Sequence, residues 1–220
     1  MQLYGRRNSI NVAPVLWCME ELGLRYERRD VGGSFGGLDA EFRALNPNSR
    51  IPVLDDGGFV LWESNAIIRY LMDTYGREAL RPGDNRERAR NDQWMEWYKT
   101  TLYPPFVALY QQFIRVEPTA RDTQRMDELA RTVAELLRVP DDELQRHPHL
   151  GGDQFGMGDI PLGVAIYRYV SLPVARPKLE GVERWYAGLC SRPAYQACVM
   201  RPFGLTPSEF IALEQADTRT

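Results

Sequence analysis

The change of pattern near residue 76 is the feature that most constrains how this chain folds. Residues 1–76 alternate short strand-like runs with helical periods in the order strand, helix, strand, helix, strand, strand, helix. Beyond residue 86, apolar residues recur only at helical spacing. We therefore predict an α+β chain of two domains: a βαβαββα domain over residues 1–78, a charged linker over 79–86, and an all-α domain over 87–220.

Turn and cap residues give the boundaries of the predicted elements. In the first domain, strands are predicted at 1–4, 25–29, 51–54 and 59–62, and helices at 11–22, at 40–45 and from the cap at 63–65 to Gly76. In the second domain, helices are predicted at 86–116 with a kink at Pro104-Pro105, at 123–138, 157–170 and 182–191, and from Thr206-Pro207 onward.

Charge, hydropathy and cysteines exclude several classes of protein. The 27 Lys and Arg against 30 Asp and Glu give a net charge of -3, without the basic excess of a nucleic-acid binder. No run approaches the ~20 apolar residues of a membrane span, and the N-terminus has no signal-peptide pattern, so we expect a cytoplasmic protein that binds no membrane. Cys18, Cys190 and Cys198 lack metal-ligand spacing, which predicts reduced thiols and no metal site.

Residues 5–11, where the first strand meets the first helix, are the expected reactive position of a thioredoxin-like βαβαββα domain. A thiol–disulfide oxidoreductase needs a nucleophilic cysteine there, but this chain has Asn8-Ser9-Ile10-Asn11, and Cys18 lies about two turns further on. Ser9 and Asn11 can instead donate hydrogen bonds to a thiolate that a ligand supplies, aided by the helix dipole. The alternative is that Asn11 only caps the helix.

Three motifs follow one another along the first domain. They are Leu3-Tyr4-Gly5-Arg6 with Ser9-x-Asn11-Val12, then Leu45-Asn46-Pro47-Asn48-x-x-Ile51-Pro52-Val53-Leu54, then Leu61-Trp62-Glu63-Ser64-Asn65-Ala66-Ile67-x-Arg69-Tyr70-Leu71. In this combination the chain resembles the cytosolic glutathione S-transferase family, in particular its bacterial, serine-type members near the theta class. The resemblance extends over nearly the whole chain.

The resemblance implies a site for glutathione as co-substrate, without a metal. In such proteins the peptide bond before Pro52 is cis, so that the Ile51 backbone pairs with the cysteinyl part of the tripeptide. Ser64 is implied to bind the γ-glutamyl carboxylate at a helix N-terminus, and Glu63 to pair with the ligand's ammonium group. Asn48 is assigned to the glycyl end.

The resemblance also implies which residues activate the thiol and receive the electrophile. Ser9 is the first choice as hydrogen-bond donor to the sulfur and Asn11 the second, while Arg6 stabilises the thiolate or leaving-group charge. A helix opened at the two prolines would face a cleft, so the predicted electrophile pocket contains Tyr4, Tyr103, Phe106, Tyr110 and Arg115. Arg115 has the alternative of being a surface charge.

In the helical domain, Gly156-Met157-Gly158-Asp159 resembles the helix-start motif of the family. A Ser or Thr normally provides the cap, and here Gly156 stands in its place without a side-chain acceptor. Asp159 is therefore expected to satisfy the helix start itself and to serve folding, not catalysis.

Together these features predict a glutathione S-transferase, acting as a homodimer in detoxification, that attacks a small electrophile with the glutathione thiolate. Two cations near the cleft, Arg6 and Arg115, favour a short halo-acid as substrate. One alternative is a glutathione-dependent isomerase or dehalogenase, although the Ser-Ser-Cys run of such isomerases is absent. Another is a non-catalytic, transferase-like interaction module; such modules often lose the Glu-Ser pair that this chain retains.

Overall fold

A four-stranded sheet organises the first part of the chain, as the alternating pattern predicts. The structure is a computed structural model that describes residues 1–76, 80 and 84–217. The strands are β1 (Gln2–Tyr4), β2 (Glu27–Arg29), β3 (Val53–Asp56) and β4 (Phe59–Trp62), in the sheet order β2-β1-β3-β4. β1 is parallel to β2 and antiparallel to β3, and β3 is antiparallel to β4. With its helices, this sheet confirms the predicted thioredoxin-like domain.

The helices of the first domain are α1 (Ala13–Glu21), α2 (Ala40–Leu45) and α3 (Ser64–Tyr75). Every residue of α1 from Ala13 to Met19 is buried. Cys18 is one of them, and burial raises the pKa of its thiol, which agrees with the prediction that it is structural. All three cysteines are unpaired.

The described part of the second domain consists of helices and the segments that connect them. Its helices are α4 (Asn85–Trp97), α5 (Tyr103–Ile114), α6 (Thr123–Leu136), α7 (Arg138–Arg146), α8 (Asp159–Val170), α9 (Glu180–Cys190), α10 (Pro193–Cys198) and α11 (Pro207–Ala216). Helices α7 and α10 were not predicted from the sequence. Both carry a proline in the first turn. N–H groups in the first turn have no partner within the helix, so a proline there costs no helical hydrogen bond.

The boundary between the domains stays a prediction. Four residues of the predicted 79–86 linker, at positions 79 and 81–83, lie outside the described residues. Helix α4 begins inside the predicted linker, where the Asp84 side chain accepts hydrogen bonds from the N–H groups of Arg86 and Glu87, both at 2.8 Å.

Across the described ranges, no helix combines the length and apolar character needed to cross a membrane.

The predicted kink in the long helix is a π-helical turn at Tyr98–Leu102, between α4 and α5. It lies on the N-terminal side of Pro104 and Pro105. Proline has no N–H to donate four residues back and its ring crowds the carbonyl there, so the turn that precedes the two prolines widens. The first residue after this turn is Tyr103, which faces the first domain.

Asp159 holds the start of α8 together, as predicted. Its Oδ1 accepts hydrogen bonds from the Leu150 N–H at 3.1 Å and the Trp185 indole N–H at 2.8 Å, and its Oδ2 accepts from the Gly156 N–H at 2.9 Å. The carboxylate is fully buried. A charged acceptor with several buried donors stabilises a fold strongly, because removing it leaves each donor without a partner.

Asp159→Ala is therefore expected to destabilise the protein by about 3 kcal/mol or more, through the loss of hydrogen bonds to buried donors. Thermal unfolding followed by circular dichroism measures this loss. Asp153→Ala is the matched control, since the Asp153 side chain is 88% exposed. Equal melting temperatures for the two variants would contradict the structural role of Asp159.

Candidate active site

Two neighbouring cavities lie between the domains. The first cavity has a volume of about 260 Å³ and is lined mainly by the segment before α1 and by one face of α5. The second cavity, of about 190 Å³, is lined by the segment before β3, the start of α3 and Lys99. Asn11, Arg50, Ile51 and Tyr103 line both cavities. A ligand that occupies the second cavity can therefore extend a group into the first.

Ser9 and Asn11 meet at the start of α1. The Ser9 side chain is buried, lines the first cavity and accepts a hydrogen bond on Oγ from the Asn11 N–H at 3.3 Å, so its own O–H proton is left to donate. The Asn11 side chain does not cap α1, whose N-cap residue is Val12. Asn11 instead donates from Nδ2 to the Tyr103 hydroxyl at 3.0 Å, so the capping alternative for Asn11 is wrong.

Tyr103 stands on the wall that the two cavities share. Burial raises the pKa of its hydroxyl, while the hydrogen bond from Asn11 acts in the opposite direction. The phenol is therefore protonated at neutral pH, and because its oxygen already accepts from Asn11, its proton is available to a ligand. The prediction placed Tyr103 in the electrophile pocket alone.

The segment before β3 offers free backbone groups to the second cavity. The peptide bond between Ile51 and Pro52 is cis, as the resemblance implied. Within the part of the chain that the structure describes, neither the N–H nor the C=O of Ile51 has a hydrogen-bond partner. Such an unpaired edge is the kind of backbone to which an extended peptide adds as a strand.

Glu63 and Ser64 stand where β4 passes into α3, beside Ile51 and Pro52. Glu63 has a φ of 72°, a left-handed conformation that is unusual for a residue other than glycine, and its carboxylate lies 4.0 Å from Lys99 Nζ. Ser64 is buried and is the first residue of α3. The N–H groups in the first turn of a helix have no partner within the helix, so this end of α3 suits a carboxylate.

Asn48 lies outside the lining of both cavities, contrary to the prediction. Its N–H and its Nδ2 donate to Asn46 Oδ1 at 3.0 and 3.3 Å. These bonds hold Asn48 in a local turn, outside the two cavities. Asn46 and Arg50 line the second cavity instead. Arg50 was not predicted from the sequence, although it is a cation at an unspecified position of the second motif, directly before Ile51.

Tyr4 and Phe106 are not part of the lining of the first cavity either. Side chains alternate along a strand, so Leu3 enters the core and Tyr4 turns to the other side, where its ring lies 6.4 Å from that of Phe42. Phe106 is almost wholly buried and stacks on Tyr110 at 6.1 Å. The face of α5 that lines the cavity carries Tyr103, Val107, Tyr110, Gln111 and Ile114, and Arg115 follows directly after the helix.

Arg168 is a buried cation that the sequence analysis missed. It lies on α8 with 2% of its surface exposed, and it donates to the Tyr110 hydroxyl and to the Asn8 carbonyl, both at 2.9 Å. Among residues 1–76, 80 and 84–217 no carboxylate pairs with it. Arg168 is a single cation in the largely apolar sequence of α8, and this position could have identified it as a buried charge.

Arg6 and Arg115 both line the first cavity. Arg6 forms an ion pair with Glu214, and burial lowers the pKa of its guanidinium. Arg115 lies with its guanidinium carbon 5.2 Å from the centre of the Phe210 ring. Of these two cations, Arg6 is therefore paired with an acid and Arg115 rests against an aromatic ring, while Arg50 lines both cavities.

Comparisons with known proteins relate this chain to one family. The family model described as "Glutathione S-transferase, N-terminal domain" matches residues 1–73. Glutathione S-transferase GstB of Escherichia coli (strain K12) is 37% identical over 203 residues, which is 91% of this chain and 98% of that protein. A probable glutathione S-transferase, GSTF1 of Oryza sativa subsp. japonica, is 31% identical over 217 residues, with 93% and 98% covered.

Solved structures give the same result. The theta class glutathione S-transferase from Xanthomonas axonopodis pv. citri, with glutathione bound, superposes with a TM-score of 0.88 at 46% identity, covering 91% of this chain and 97% of that one. A glutathione S-transferase-I bound with lactoylglutathione superposes with a TM-score of 0.82 at 26% identity, covering 90% and 97%. By sequence over most of its length and by fold, this chain belongs to the glutathione S-transferase family.

Proposed function

We propose that this protein transfers glutathione, as its thiolate, to a small electrophile. The observation that carries the proposal is the meeting of the two cavities at Asn11, Ile51 and Tyr103. A tripeptide in the second cavity has its thiol directed to the start of α1, and an electrophile in the first cavity lies next to it. Relatives and solved structures named as glutathione S-transferases support the same activity.

The second cavity offers a complementary group to each part of glutathione. Ser64, at the start of α3, is proposed to bind the γ-glutamyl carboxylate, and Glu63 to bind its ammonium group. The free backbone groups of Ile51, next to Pro52, pair with the cysteinyl residue. Arg50 takes the place that the sequence analysis gave to Asn48 and pairs with the glycyl carboxylate.

The start of α1 stabilises the thiolate. Ser9 donates its hydroxyl proton to the sulfur, and Asn11 is the second candidate through the Nδ2 hydrogen that Tyr103 does not accept. The thiol proton passes to solvent, the sulfur attacks the electrophilic carbon, and a carbon–sulfur bond forms as the leaving group departs with its bonding electrons. Holding both reactants in adjoining cavities lowers the entropic part of the barrier.

The proposed electrophile is a short halo-acid. Arg115 supports this substrate class, because it is the cation of the first cavity that rests against an aromatic ring and not against an acid. The apolar side chains of Val107, Ile114 and Phe210 leave room for a short carbon chain beside it. A carboxylate bound at Arg115 would place the carbon that bears the halogen toward Ser9.

We also propose that the protein acts in detoxification as a cytoplasmic homodimer. β4 is an edge strand, and its Phe59 and Trp62 expose 50% and 37% of their surface. Apolar side chains on a sheet edge support packing against a second copy of the chain. The net charge of -3 supports the expectation that the protein does not bind nucleic acid.

Ser64→Ala is expected to weaken glutathione binding by about 1–3 kcal/mol, because a charged carboxylate loses a hydrogen-bond donor. Titration calorimetry with glutathione measures the change. Ser191→Ala is the control, since Ser191 follows α9 and its hydroxyl donates to the Gly188 carbonyl. The same affinity in both variants would reject the assigned site.

Ser9→Ala is expected to raise the pKa of glutathione bound to the protein and to slow turnover near neutral pH, with little change in glutathione affinity. The reason is that a lost donor destabilises the thiolate more than the thiol. Ultraviolet absorbance of the thiolate, followed against pH, measures this pKa. If Asn11→Ala moves the titration and Ser9→Ala does not, Asn11 is the donor.

Arg115→Ala is expected to raise KM for a halo-acid while KM for its neutral amide changes little, because only the acid has a carboxylate to pair. Steady-state kinetics with bromoacetate and bromoacetamide make the comparison. If kcat/KM is equal for the acid and the amide, with and without the Arg115 side chain, the halo-acid assignment is wrong.

A further inference from the structure

Helix α11 lies beside the first cavity and carries two side chains one turn apart, Phe210, which lines the cavity, and Glu214, which contacts Arg6. The helix packs on α5 and on the segment Gly33–Phe35 of the first domain. The Phe210 ring lines the cavity beneath the Arg115 guanidinium. Glu214 is 3% exposed and lies behind Arg6. A single helix thus determines the surroundings of both cations.

The Glu214 carboxylate is held on both of its oxygens. Oε1 pairs with Arg6, and Oε2 accepts a hydrogen bond from the Ser34 N–H at 2.7 Å. A buried carboxylate costs free energy unless it is paired and hydrogen-bonded, and Glu214 meets both conditions. Its negative charge is therefore fixed beside Arg6.

The backbone at Gly33 makes this close approach feasible. Its φ is 60°, and a Cβ atom there would lie 2.7 Å from Glu214 Oε2 and 2.8 Å from Arg6 Cδ and Nε. A larger residue would displace the ion pair, and L residues rarely adopt this φ. The loop is shaped to receive the carboxylate.

The charges of the first cavity follow from these contacts. Glu214 neutralises Arg6, Arg50 is assigned to glutathione, and Arg168 lies behind Tyr110 as the donor to its hydroxyl. Arg115 is left as the cation available to an electrophile. A cavity with one such cation suits one negative charge, and a second carboxylate would lie close to Glu214 without a partner.

We propose that Glu214 is a specificity-determining residue that restricts the first cavity to neutral and singly charged electrophiles by cancelling the charge of Arg6. This inference rests on the proposed function. Without the carboxylate, Arg6 becomes a second free cation and a doubly charged electrophile gains a partner. The shape and aromatic wall of the cavity remain, so the change is one of charge selectivity.

The test uses three electrophiles that share a leaving group and differ in charge: bromoacetamide, bromoacetate and bromosuccinate. Bromide release with glutathione gives kcat/KM for each. Glu214→Gln is expected to raise the ratio of kcat/KM for bromosuccinate to that for bromoacetamide by about tenfold or more. Using the ratio to the neutral amide removes any effect of the free Arg6 charge on the thiolate.

Two further variants separate charge from structure. Glu214→Asp keeps the negative charge and is expected to keep the wild-type ratio, even where shorter reach lowers stability. The double variant Arg6→Met with Glu214→Gln removes both members of the pair and is expected to return the ratio to within about twofold of wild type. Melting temperatures show which variants fold, and the double variant avoids an unpaired buried cation.

A ratio that stays unchanged in Glu214→Gln, or that rises equally in the double variant, would overturn the inference and leave the proposed function standing. If the wild-type protein releases bromide from none of the three electrophiles with glutathione, the proposed function falls and this inference falls with it. A wild-type preference for bromosuccinate over bromoacetate would also overturn it.

Discussion

The burial of helix α1 between the two domains is the constraint on which the site depends. Trp17 is fully buried and packs against Phe155 and Tyr195 of the helical domain, at ring distances of 5.3 and 4.7 Å. The start of α1 is held from the same side, since Asn11 bonds Tyr103 and the Asn8 carbonyl bonds Arg168. The donors for the thiolate therefore have fixed positions before any ligand binds, which is what electrostatic stabilisation of a charged nucleophile requires.

The fold and the second cavity could be predicted because their signals are local. A strand or helix period can be read from a short stretch of sequence, and so can the proline directly before β3 and the Glu-Ser pair at the start of α3. The family resemblance then assigns Ile51, Pro52, Glu63 and Ser64 to the same site. Which side chains face the first cavity depends on how α5 and α11 pack. For this reason Phe106 lies outside the lining of the first cavity and the contact of Glu214 with Arg6 was missed. Tyr4 and Asn48 lie outside the cavity linings because side chains alternate along β1 and because Asn48 is held in a local turn, and Arg50 and Arg168 were missed as well.

Charge selectivity is the clearest case of information that only the three-dimensional arrangement contains. In the sequence, Arg6 and Arg115 are two cations near the expected cleft, and nothing shows which of them is paired with an acid. In the structure, Arg6 is paired with an acid from a helix more than 200 residues away, and Arg115 rests against an aromatic ring from the same helix. Because Phe210 of α11 lines the cavity and α11 is the last helix of the described residues, the cavity is complete only once this helix has packed.

A crystal structure of the protein with glutathione tests most directly whether the start of α1 activates the thiol. We predict the glutathione sulfur within hydrogen-bond distance, about 3.5 Å, of Ser9 Oγ or Asn11 Nδ2, with the γ-glutamyl carboxylate at Ser64 and the cysteinyl backbone paired with Ile51. A sulfur atom directed away from the start of α1, or a tripeptide bound outside the second cavity, would show that α1 does not activate the thiol.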